Sequence, residues 1–591
     1  MLPAVRNDGH PYQDPARSVD ERVDDLLARM TLEEKAGLLF HTVLPMHPDG
    51  RPVQLGDEAF VPADTTGAIR SKLMSHFNLF GTAAPRQMAQ WHNTVQELAA
   101  GTRLGIPVTV STDPRHSFTT HLGASMSAGA FSAWPEPTGL AAVRDPELVR
   151  RFADIARREY LAVGLRVALH PQIDLATEPR WSRQSATFGA DAVLTAELVQ
   201  AYILGFQGER LGADSVATMV KHFPGGGPQK DGEDPHFAHG KEQIYPGGMR
   251  EYHLAPFKAA IAAGASQMMP YYGQPIGTDW EEVGFGFNRG VVTGLLRERL
   301  GFEGIVCTDW GLLTDHEIFG EPHPARAWGV EHLTVAERTA KALEAGADQF
   351  GGEECPEVVV ELVRSGRIGE ERIDGSVRRL LREKFVLGLF EKPYVDPELA
   401  EEIVGSSEFR GAGDTAQRRS LTVLVNRDRT LPVKTPRPKL YVDGIDTDVA
   451  AQYGELVGDP AEADLAVLRL HAPYEVRENR FEALFHSGRL DFTEEELKPV
   501  LGLLDTVATI VFLHLERPAV VPEIAERCAA LIADYGASDT ALLDVAFARA
   551  RAEGRLPFEL PRSMAAVERS RPDVPHDTAD PLFAYGAGLD L

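Results

Sequence analysis

The sequence predicts an α/β protein with an N-terminal TIM-like (β/α) barrel followed by an α/β sandwich domain. The first observation is the length of 591 residues, which exceeds what one hydrophobic core usually holds. The second is the alternation of short apolar runs with helix-patterned segments from residue 76 onward. The third is that polar residues follow the apolar runs, at the strand ends where a barrel carries its chemistry.

Two helices open the chain after a polar lead. They are predicted over residues 18–30 and 31–39, and the second begins with Thr31 and Glu34 at the spacing of a capping box. Residues 41–75 are rich in proline and glycine. We therefore expect an irregular connection there, either on the surface or over a site.

The barrel itself is predicted from repeated β–α units. Strands are expected over residues 106–111, 166–170, 216–220, 266–269, 305–307 and 347–350, and helices over residues 87–100, 146–163, 190–208, 250–263, 288–300, 334–345 and 354–388. An open, doubly wound sheet is the alternative architecture. Such a sheet more often has a glycine-rich phosphate loop after its first strand, and the sequence has none.

A smaller α/β unit follows the predicted barrel. We place the barrel domain with its polar lead at residues 1–392, a linker at 393–417 and the sandwich domain at 418–591. Strands of the second unit are expected over residues 421–425, 439–442, 463–470, 507–513 and 529–532.

Composition argues against two classes of partner. A net charge of −27 argues against nucleic acid and against an anionic membrane surface, because both need basic patches. No apolar run is long enough to span a membrane. Three cysteines give no disulfide framework, and the N-terminus lacks the apolar core of a signal peptide, so a cytoplasmic protein is expected. The sequence is compatible with a homo-oligomer.

The most informative stretch is residues 304–311. Its apolar residues predict a buried parallel strand that ends at Asp309, beside the large aromatic ring of Trp310. A carboxylate at such a strand end suggests a catalytic nucleophile that cleaves glycosidic bonds. The alternative is a structural role in which Asp309 caps the next helix.

A second polar group follows the strand predicted at residues 216–220. Lys221 and His222 precede a glycine-rich loop that continues to His236. These donors and acceptors suit a polyhydroxylated ligand. The alternative is a surface loop with a buried histidine, while a phosphate loop would need a spacing that is absent here.

Further binding residues are predicted near two other strand ends. Arg180 and Arg183 flank Trp181 and offer forked donors beside an aromatic face, although a brace between an arginine and a carboxylate is equally common. Asp113 is a hydroxyl acceptor or the start of an Asx turn. The sequence has neither metal-ligand spacings nor a serine elbow, so no metal and no cofactor are expected.

The motifs together resemble glycoside hydrolase family 3, in order, over residues 20–590. The resemblance is carried by residues 178–183 (Glu-Pro-Arg-Trp-Ser-Arg), 221–223 (Lys-His-Phe), 308–310 (Thr-Asp-Trp), 419–426 and 583–586. It implies a retaining, exo-acting β-glycosidase, most simply a β-glucosidase that acts on a β-glucoside or a β-linked oligosaccharide. It also implies Asp309 as nucleophile and sugar contacts from Asp113, Arg180, Arg183, Lys221, His222, His236, Tyr271 and Trp310.

The acid/base residue is the open point of this resemblance. The sandwich-domain region that resembles the family's acid/base loop contains Glu475, Glu482 and Glu478, which we rank in that order. The family's N-acetylglucosaminidase branch uses a histidine on the barrel loop, and His236 would be its counterpart. A β-N-acetylglucosaminidase or a glycoside phosphorylase using His236 is therefore an alternative, as is a non-catalytic sugar-binding protein on the same scaffold.

Overall fold

A computed structural model describes residues 7–57, 63–119 and 125–590. They form a parallel barrel followed by a second α/β unit. Residues 1–6 of the predicted polar lead, residues 58–62 of the predicted irregular connection and Leu591 lie outside the described residues.

Eight parallel strands form the barrel. They are β1 Phe40–Pro45, β2 His76–Phe80, β3 Thr109–Thr112, β4 Leu165–Ala168, β5 Ala217–Phe223, β6 Gln267–Pro270, β7 Ile305–Val306 and β8 Phe350–Gly351. Consecutive strands pair from β1 to β7, and β8 pairs with β1. A bridge between Cys307 and Gln349 joins the two ends of the sheet. The predicted TIM-like barrel is therefore confirmed, and the open sheet is excluded.

The first strand lies where the sequence led us to expect an irregular connection. β1 is almost wholly buried, and His41 points inward, where its ring nitrogens contact Ser111 Oγ at 2.7 Å and Gln349 Oε1 at 3.2 Å. Because polar side chains of this strand face the barrel interior, the apolar pattern that marks a buried strand is missing from the sequence. A short helix, Thr65–Arg70, also lies in this region.

Helices surround the barrel at most of the predicted positions. They are Val19–Arg29, Leu32–Leu38, Pro85–Ala100, Pro137–Val143, Pro146–Ala162, Ala192–Gln207, Arg250–Ala262, the π-helix Gly290–Arg299, Val335–Ala345, Pro356–Arg364 and Glu370–Val386. The capping box of the second helix is confirmed, since Thr31 Oγ1 accepts from the Glu34 amide. The single helix predicted over residues 354–388 is wrong, because Gly366, at φ +74°, ends the first of two helices.

The second unit is a six-stranded sheet with helices. Its strands are β9 Thr422–Asn426, β10 Lys439–Asp443, β11 Glu455–Leu456, β12 Leu465–His471, β13 Thr509–His514 and β14 Ala530–Asp534, in the order β9-β14-β13-β12-β10-β11. Only the β9–β14 pair is antiparallel. Its helices are Pro397–Ile403, Ser407–Ser420, Thr447–Ala450, Glu494–Thr506, Pro522–Arg527, Asp539–Ala546 and Met564–Val567. The first two fall largely within the segment predicted as a linker, 393–417.

After its last strand the chain returns to the barrel. We call residues 555–578 the return segment. The Ala190 amide donates to the carbonyl of Pro557 at 3.0 Å, and Thr177 Oγ1 donates to the carbonyl of Pro572 at 2.6 Å. Fully buried Asp573 accepts the amides of Gly247 and Met249, both at 2.8 Å. The return segment thus fixes the second unit against the barrel loops.

No helix within the described ranges combines the length and the apolar character that a membrane crossing needs.

Candidate active site

A pocket lies at the C-terminal ends of the barrel strands. It is lined by Thr42, Val43, Asn78, Phe80, Asp113, Leu169, Arg183, Lys221, His222, His236, Met269, Tyr272, Asp309, Trp310, Gly311, His316, Glu317, Ile318, Arg326, Gly352 and Phe481. Of the residues predicted from the sequence, Asp113, Arg183, Lys221, His222, His236, Asp309 and Trp310 are brought together here. Arg180, Tyr271, Glu475 and Glu482 are outside this lining.

Asp309 lies just beyond the C-terminal end of β7, after Cys307 and Thr308, and is only 6% exposed. Its Oδ2 atom is buried without a hydrogen-bond partner in the described residues. Burial raises the pKa of Asp309 to about 6, although the positive charges of Arg183 and Lys221 oppose this shift. Asp309 is thus ionised at neutral pH, with one oxygen free to attack an electrophile.

Asp113 and Lys221 form a polar pair at the ends of β3 and β5. Lys221 Nζ donates to Asp113 Oδ1 at 3.2 Å, and Asn78 Nδ2 donates to Asp113 Oδ2 at 3.0 Å. The lysine is 4% exposed, so the ammonium is held inside the pocket by its carboxylate partner. Neighbouring donors and acceptors of this kind match vicinal hydroxyl groups.

His222 lies deeper in the same wall. Its Nδ1 is 2.8 Å from Asp174 Oδ2, and its Nε2 is 3.7 Å from Asp309 Oδ2. Tyr271 stacks on the imidazole with ring centroids 4.4 Å apart. The sequence singled out Tyr271 as a sugar contact, but the structure places it behind His222.

The two arginines predicted as sugar contacts have different surroundings. Arg183 is 2% exposed, and its Nε and Nη2 atoms are buried without partners among the described residues. Arg180 instead makes a two-pronged ion pair with Glu178, at 2.8 and 3.0 Å. Arg180 is therefore in the brace that the sequence left as its alternative, while Arg183 has free donors beside Asp309.

Two of the lining residues that the sequence did not reveal bind the Trp310 carbonyl beside the nucleophile. Tyr272 lies beside Asp309, and its hydroxyl donates to the Trp310 carbonyl at 2.8 Å. Arg326 Nη1 donates to the same carbonyl at 2.9 Å, and its guanidinium lies 5.3 Å from the Tyr272 ring centroid. The two consecutive tyrosines after β6 indicate an aromatic residue at the pocket, although the sequence does not show which of the two rings faces it. Nothing in the sequence marks Arg326.

His236 reaches the pocket from the loop after β5. Its Nδ1 is 2.5 Å from Asp234 Oδ1, and its ring packs on Tyr272 and Phe485, with centroids 4.7 and 4.9 Å away. Burial lowers the pKa of His236 to about 4, despite the opposing charge of Asp234. The imidazole is therefore neutral at neutral pH.

The three candidate glutamates lie on residues 475–487 of the second unit, which we call the cover segment. Phe481 of this segment lines the pocket. Glu482 follows it, and its Oε1 atom lies 3.2 Å from His239 Nε2 on the barrel loop. The side chain of Glu482 is 16% exposed, whereas that of Glu475 is 42% exposed and approaches Gly488. Glu478 is exposed.

Glu482, Glu233 and His239 bring their ligand atoms close enough to hold a cation. However, Arg477 donates to Glu233 at 2.9 Å and lies 3.8 Å from Glu482. The guanidinium already supplies the positive charge at this cluster, so the donor set does not favour a metal ion.

Comparisons with known proteins agree with this arrangement. The model of the glycosyl hydrolase family 3 N-terminal domain matches residues 66–383. A probable β-glucosidase C from Aspergillus flavus is 55% identical over 99% of this chain and 92% of its own. A periplasmic β-glucosidase/β-xylosidase from Dickeya chrysanthemi is 41% identical over 98% and 91%.

Solved structures give the same fold. A β-glucosidase from Erythrobacter marinus superposes with a TM-score of 0.79 at 22% identity, over 99% of this chain and 84% of its own. The family match covers the barrel strands that carry Asp113, Lys221 and Asp309, and the relatives extend it over the second unit. The chain therefore belongs to glycosyl hydrolase family 3 and is a glycoside hydrolase.

Proposed function

We propose that the protein is an exo-acting β-glucosidase that retains the anomeric configuration. The observation that carries this proposal is Asp309, a buried carboxylate whose Oδ2 lacks a hydrogen-bond partner in the described residues and faces a pocket of hydroxyl-binding groups. A retaining enzyme needs such a carboxylate as its nucleophile.

In the first step Asp309 attacks the anomeric carbon, and the bond to the leaving oxygen breaks. The leaving oxygen takes a proton from the general acid. In the second step the same group, now a base, removes a proton from water, which releases the sugar from Asp309. Asp113, Lys221, His222 and Arg183 hold the glycone hydroxyls throughout.

For the acid/base residue we propose Glu482. Three features support it over Glu475: it directly follows pocket-lining Phe481, its side chain is the more buried, and it contacts His239 on the barrel loop. A half-buried carboxyl beside an apolar ring is a suitable proton donor when substrate excludes water.

His236 is the second candidate for this role. It is favoured by one observation, since its ring lines the pocket and none of the three glutamates does. Against it, an imidazole with a pKa of about 4 is neutral at neutral pH, and its remaining N–H is too weakly acidic to protonate a leaving oxygen. If His236 is the acid/base residue, the protein would be a β-N-acetylglucosaminidase or a glycoside phosphorylase.

The glycone is tested with aryl β-glycosides of glucose, xylose, galactose and N-acetylglucosamine, each with and without phosphate. We expect the fastest aglycone release from the glucoside, with no effect of phosphate. Preference for the N-acetylglucosaminide, or acceleration by phosphate, would move the proposal to His236. Binding without release from any substrate would favour a sugar-binding protein.

Retention is tested on the same protein by trapping. A 2-deoxy-2-fluoro β-glucoside with a good leaving group should inactivate the enzyme and add one sugar to the peptide that contains Asp309, as read by mass spectrometry. NMR of the first-formed product should give the β-anomer. An α-anomer, or a label elsewhere, contradicts the proposal.

We also propose a cytoplasmic location. It is supported by the three cysteines, which are all buried and unpaired, as is usual for proteins of a reducing compartment. Fractionation of the source cells, with enzyme activity followed in each fraction, tests it. Activity in the medium or periplasm would overturn it.

A further inference from the structure

Asp174 is a fully buried carboxylate behind the sugar-binding wall, and it accepts from three donors. Its Oδ1 accepts the backbone amides of His222 at 3.2 Å and Gly226 at 2.5 Å. Its Oδ2 faces His222 Nδ1 at 2.8 Å. Asp174 does not line the pocket, so it touches no substrate.

This arrangement determines which ring nitrogen of His222 carries the proton. Burial raises the pKa of Asp174 to about 6, so the carboxyl is ionised at neutral pH and can only accept at Oδ2. Burial, together with the charges of Arg183 and Lys221, holds the pKa of His222 well below its usual value. The imidazole is therefore neutral, with its proton on Nδ1 and a bare lone pair on Nε2.

The surroundings of the bare Nε2 atom agree with this assignment. Asp309 Oδ2 is 3.7 Å away, beyond hydrogen-bond distance, and has no hydrogen-bond donor in the described residues. A proton on Nε2 would place a partial positive charge 3.7 Å from the nucleophile and would lower its reactivity. On the other side, His222 and Lys221 face the same pocket.

We propose that Asp174 is a positioning residue that keeps His222 as a hydrogen-bond acceptor in the pocket. A glycone hydroxyl then donates to His222 Nε2, while the oxygen of Asp309 keeps its lone pairs for attack. The kinetic part of this inference rests on the proposed β-glucosidase function, whereas the tautomer of His222 does not.

Asp174→Asn is a sharp test because the backbone dictates how the new amide orients. The amides of His222 and Gly226 both need an acceptor, so the Asn oxygen replaces Oδ1 and the NH₂ group faces His222 Nδ1. Nδ1 must then accept, and the proton moves to Nε2. An Asp→Asn change that forces the wrong tautomer in this way costs roughly 10⁴-fold in a serine protease.

The direct readout is ¹⁵N NMR of the imidazoles in the substrate-free protein, with His222→Gln to assign the signal. We expect an unprotonated Nε2 and a protonated Nδ1 for His222 in the parent, and the reverse in Asp174→Asn. A protonated Nε2 in the parent overturns the inference without any variant. This measurement needs no turnover, so it stands even if the β-glucosidase proposal fails.

The kinetic readout uses glucosides in which single hydroxyls are replaced by hydrogen. The deoxy substrate that lacks the hydroxyl bound to His222 Nε2 should be hydrolysed by the parent with a kcat/KM roughly tenfold lower than that of the normal glucoside, because this hydrogen bond is lost. In Asp174→Asn the normal glucoside should lose roughly 100-fold or more, and that deoxy substrate should show no further loss. Equal losses for every substrate would mean a merely structural role and would contradict the proposal.

Glu178→Gln is the matched control. Glu178 is also fully buried on the segment after β4, but its partner is Arg180, outside the pocket. This variant should leave the His222 signal and the deoxy pattern unchanged. A shift of either in Glu178→Gln would show that any buried carboxylate in this region has the same effect.

Discussion

At the scale of single residues, the site depends on a balance between burial and charge at Asp309. Burial favours the protonated acid, whereas Arg183 and Lys221 favour the carboxylate. The result is a nucleophile that is ionised at pH 7 but has a pKa, about 6, only slightly below that pH. Asp174, on the far side of His222, titrates in the same range because it is also buried.

This balance predicts an acid limb in the pH profile. The kcat/KM value, which reports the free enzyme, should fall as the pH drops below about 6, because Asp309 then gains a proton and cannot attack. The loss should be steeper than for one group, since Asp174 protonates in the same range. The measurement is kcat/KM on an aryl β-glucoside, with circular dichroism at each pH as the folding control. An acid limb at pH 4 would contradict the burial argument.

The pair Tyr271 and Tyr272 gives a second prediction at this scale. Tyr272→Phe removes a hydroxyl that lowers the pKa of Asp309, so the acid limb should move to higher pH and kcat/KM should fall roughly tenfold. Tyr271→Phe is the matched control, since its ring still stacks on His222. Equal effects of the two changes would show that Tyr272 has no special contact with the nucleophile.

Sequence reasoning placed the polar residues at the strand ends but did not fix their orientation. Motif order was enough to gather Asp309, Lys221 and His222 in one pocket, because successive parallel strands end at the same side of the barrel. It did not separate Tyr271 from Tyr272, or Arg183 from Arg180. Those pairs differ only in which way the chain turns after a strand, and no local pattern encodes that turn.

At the scale of elements, the cover segment meets a barrel hairpin over the pocket. The hairpin strands are His316–Ile318 and Glu321–His323. Asn479 Nδ2 donates to Glu321 Oε2 at 3.2 Å, and the ring of Phe481 packs 5.4 Å from that of His323. The cover segment is therefore held beside the pocket by its contacts with this hairpin.

The glutamates of the cover segment can be distinguished by how strongly the activity of each variant depends on the leaving group of the substrate. Glu482→Gln should retain kcat/KM on 2,4-dinitrophenyl β-glucoside, whose leaving group needs no acid, but should turn this substrate over slowly because the base of the second step is missing. On cellobiose, which needs the acid, it should lose roughly 10²–10⁴-fold in kcat/KM. Added azide should restore turnover of the activated substrate by replacing the water that the base would activate. Glu475→Gln and His236→Gln are the comparisons. If either shows this pattern instead of Glu482→Gln, the acid/base assignment moves to that residue.

The sequence predicted some strands and helices near their observed positions and missed others. β3 to β8 and five strands of the second sheet fall at or next to their predicted positions, because apolar runs mark strands buried on both faces. β1 and β2 were missed, since buried polar residues such as His41, His76 and Asn78 interrupt their apolar pattern. The two helices within 393–417 were missed because glycine, serine and proline there cap helices as readily as they form loops.

At the scale of the whole molecule, the two units are held by the return segment. Asp573→Ala leaves the amides of Gly247 and Met249 without their acceptor in a buried place, at a cost of about 2–6 kcal/mol. The barrel transition in calorimetry should therefore fall by several degrees. Activity should fall with it, because the second unit, which carries the cover segment, is held less firmly against the barrel.

Asp580→Ala is the control for this prediction. Asp580 also lies near the end of the chain and pairs with Arg562 at 2.9 Å, but its side chain is 82% exposed. Exposed ion pairs contribute about 0–1 kcal/mol, so the transition should hardly move. Equal shifts for Asp573→Ala and Asp580→Ala would show that the return segment does not couple the units.

The return segment also bears on when the enzyme becomes active during synthesis. The ribosome releases the barrel strands well before Asp573, and domains generally fold in the order in which they emerge. The loops that Gly247 and Met249 belong to must wait, with their amides unpaired, until the last part of the chain arrives. A nascent chain arrested after β14 should therefore contain a folded barrel that does not yet hydrolyse a glucoside. Activity should appear only after the return segment has emerged from the ribosome.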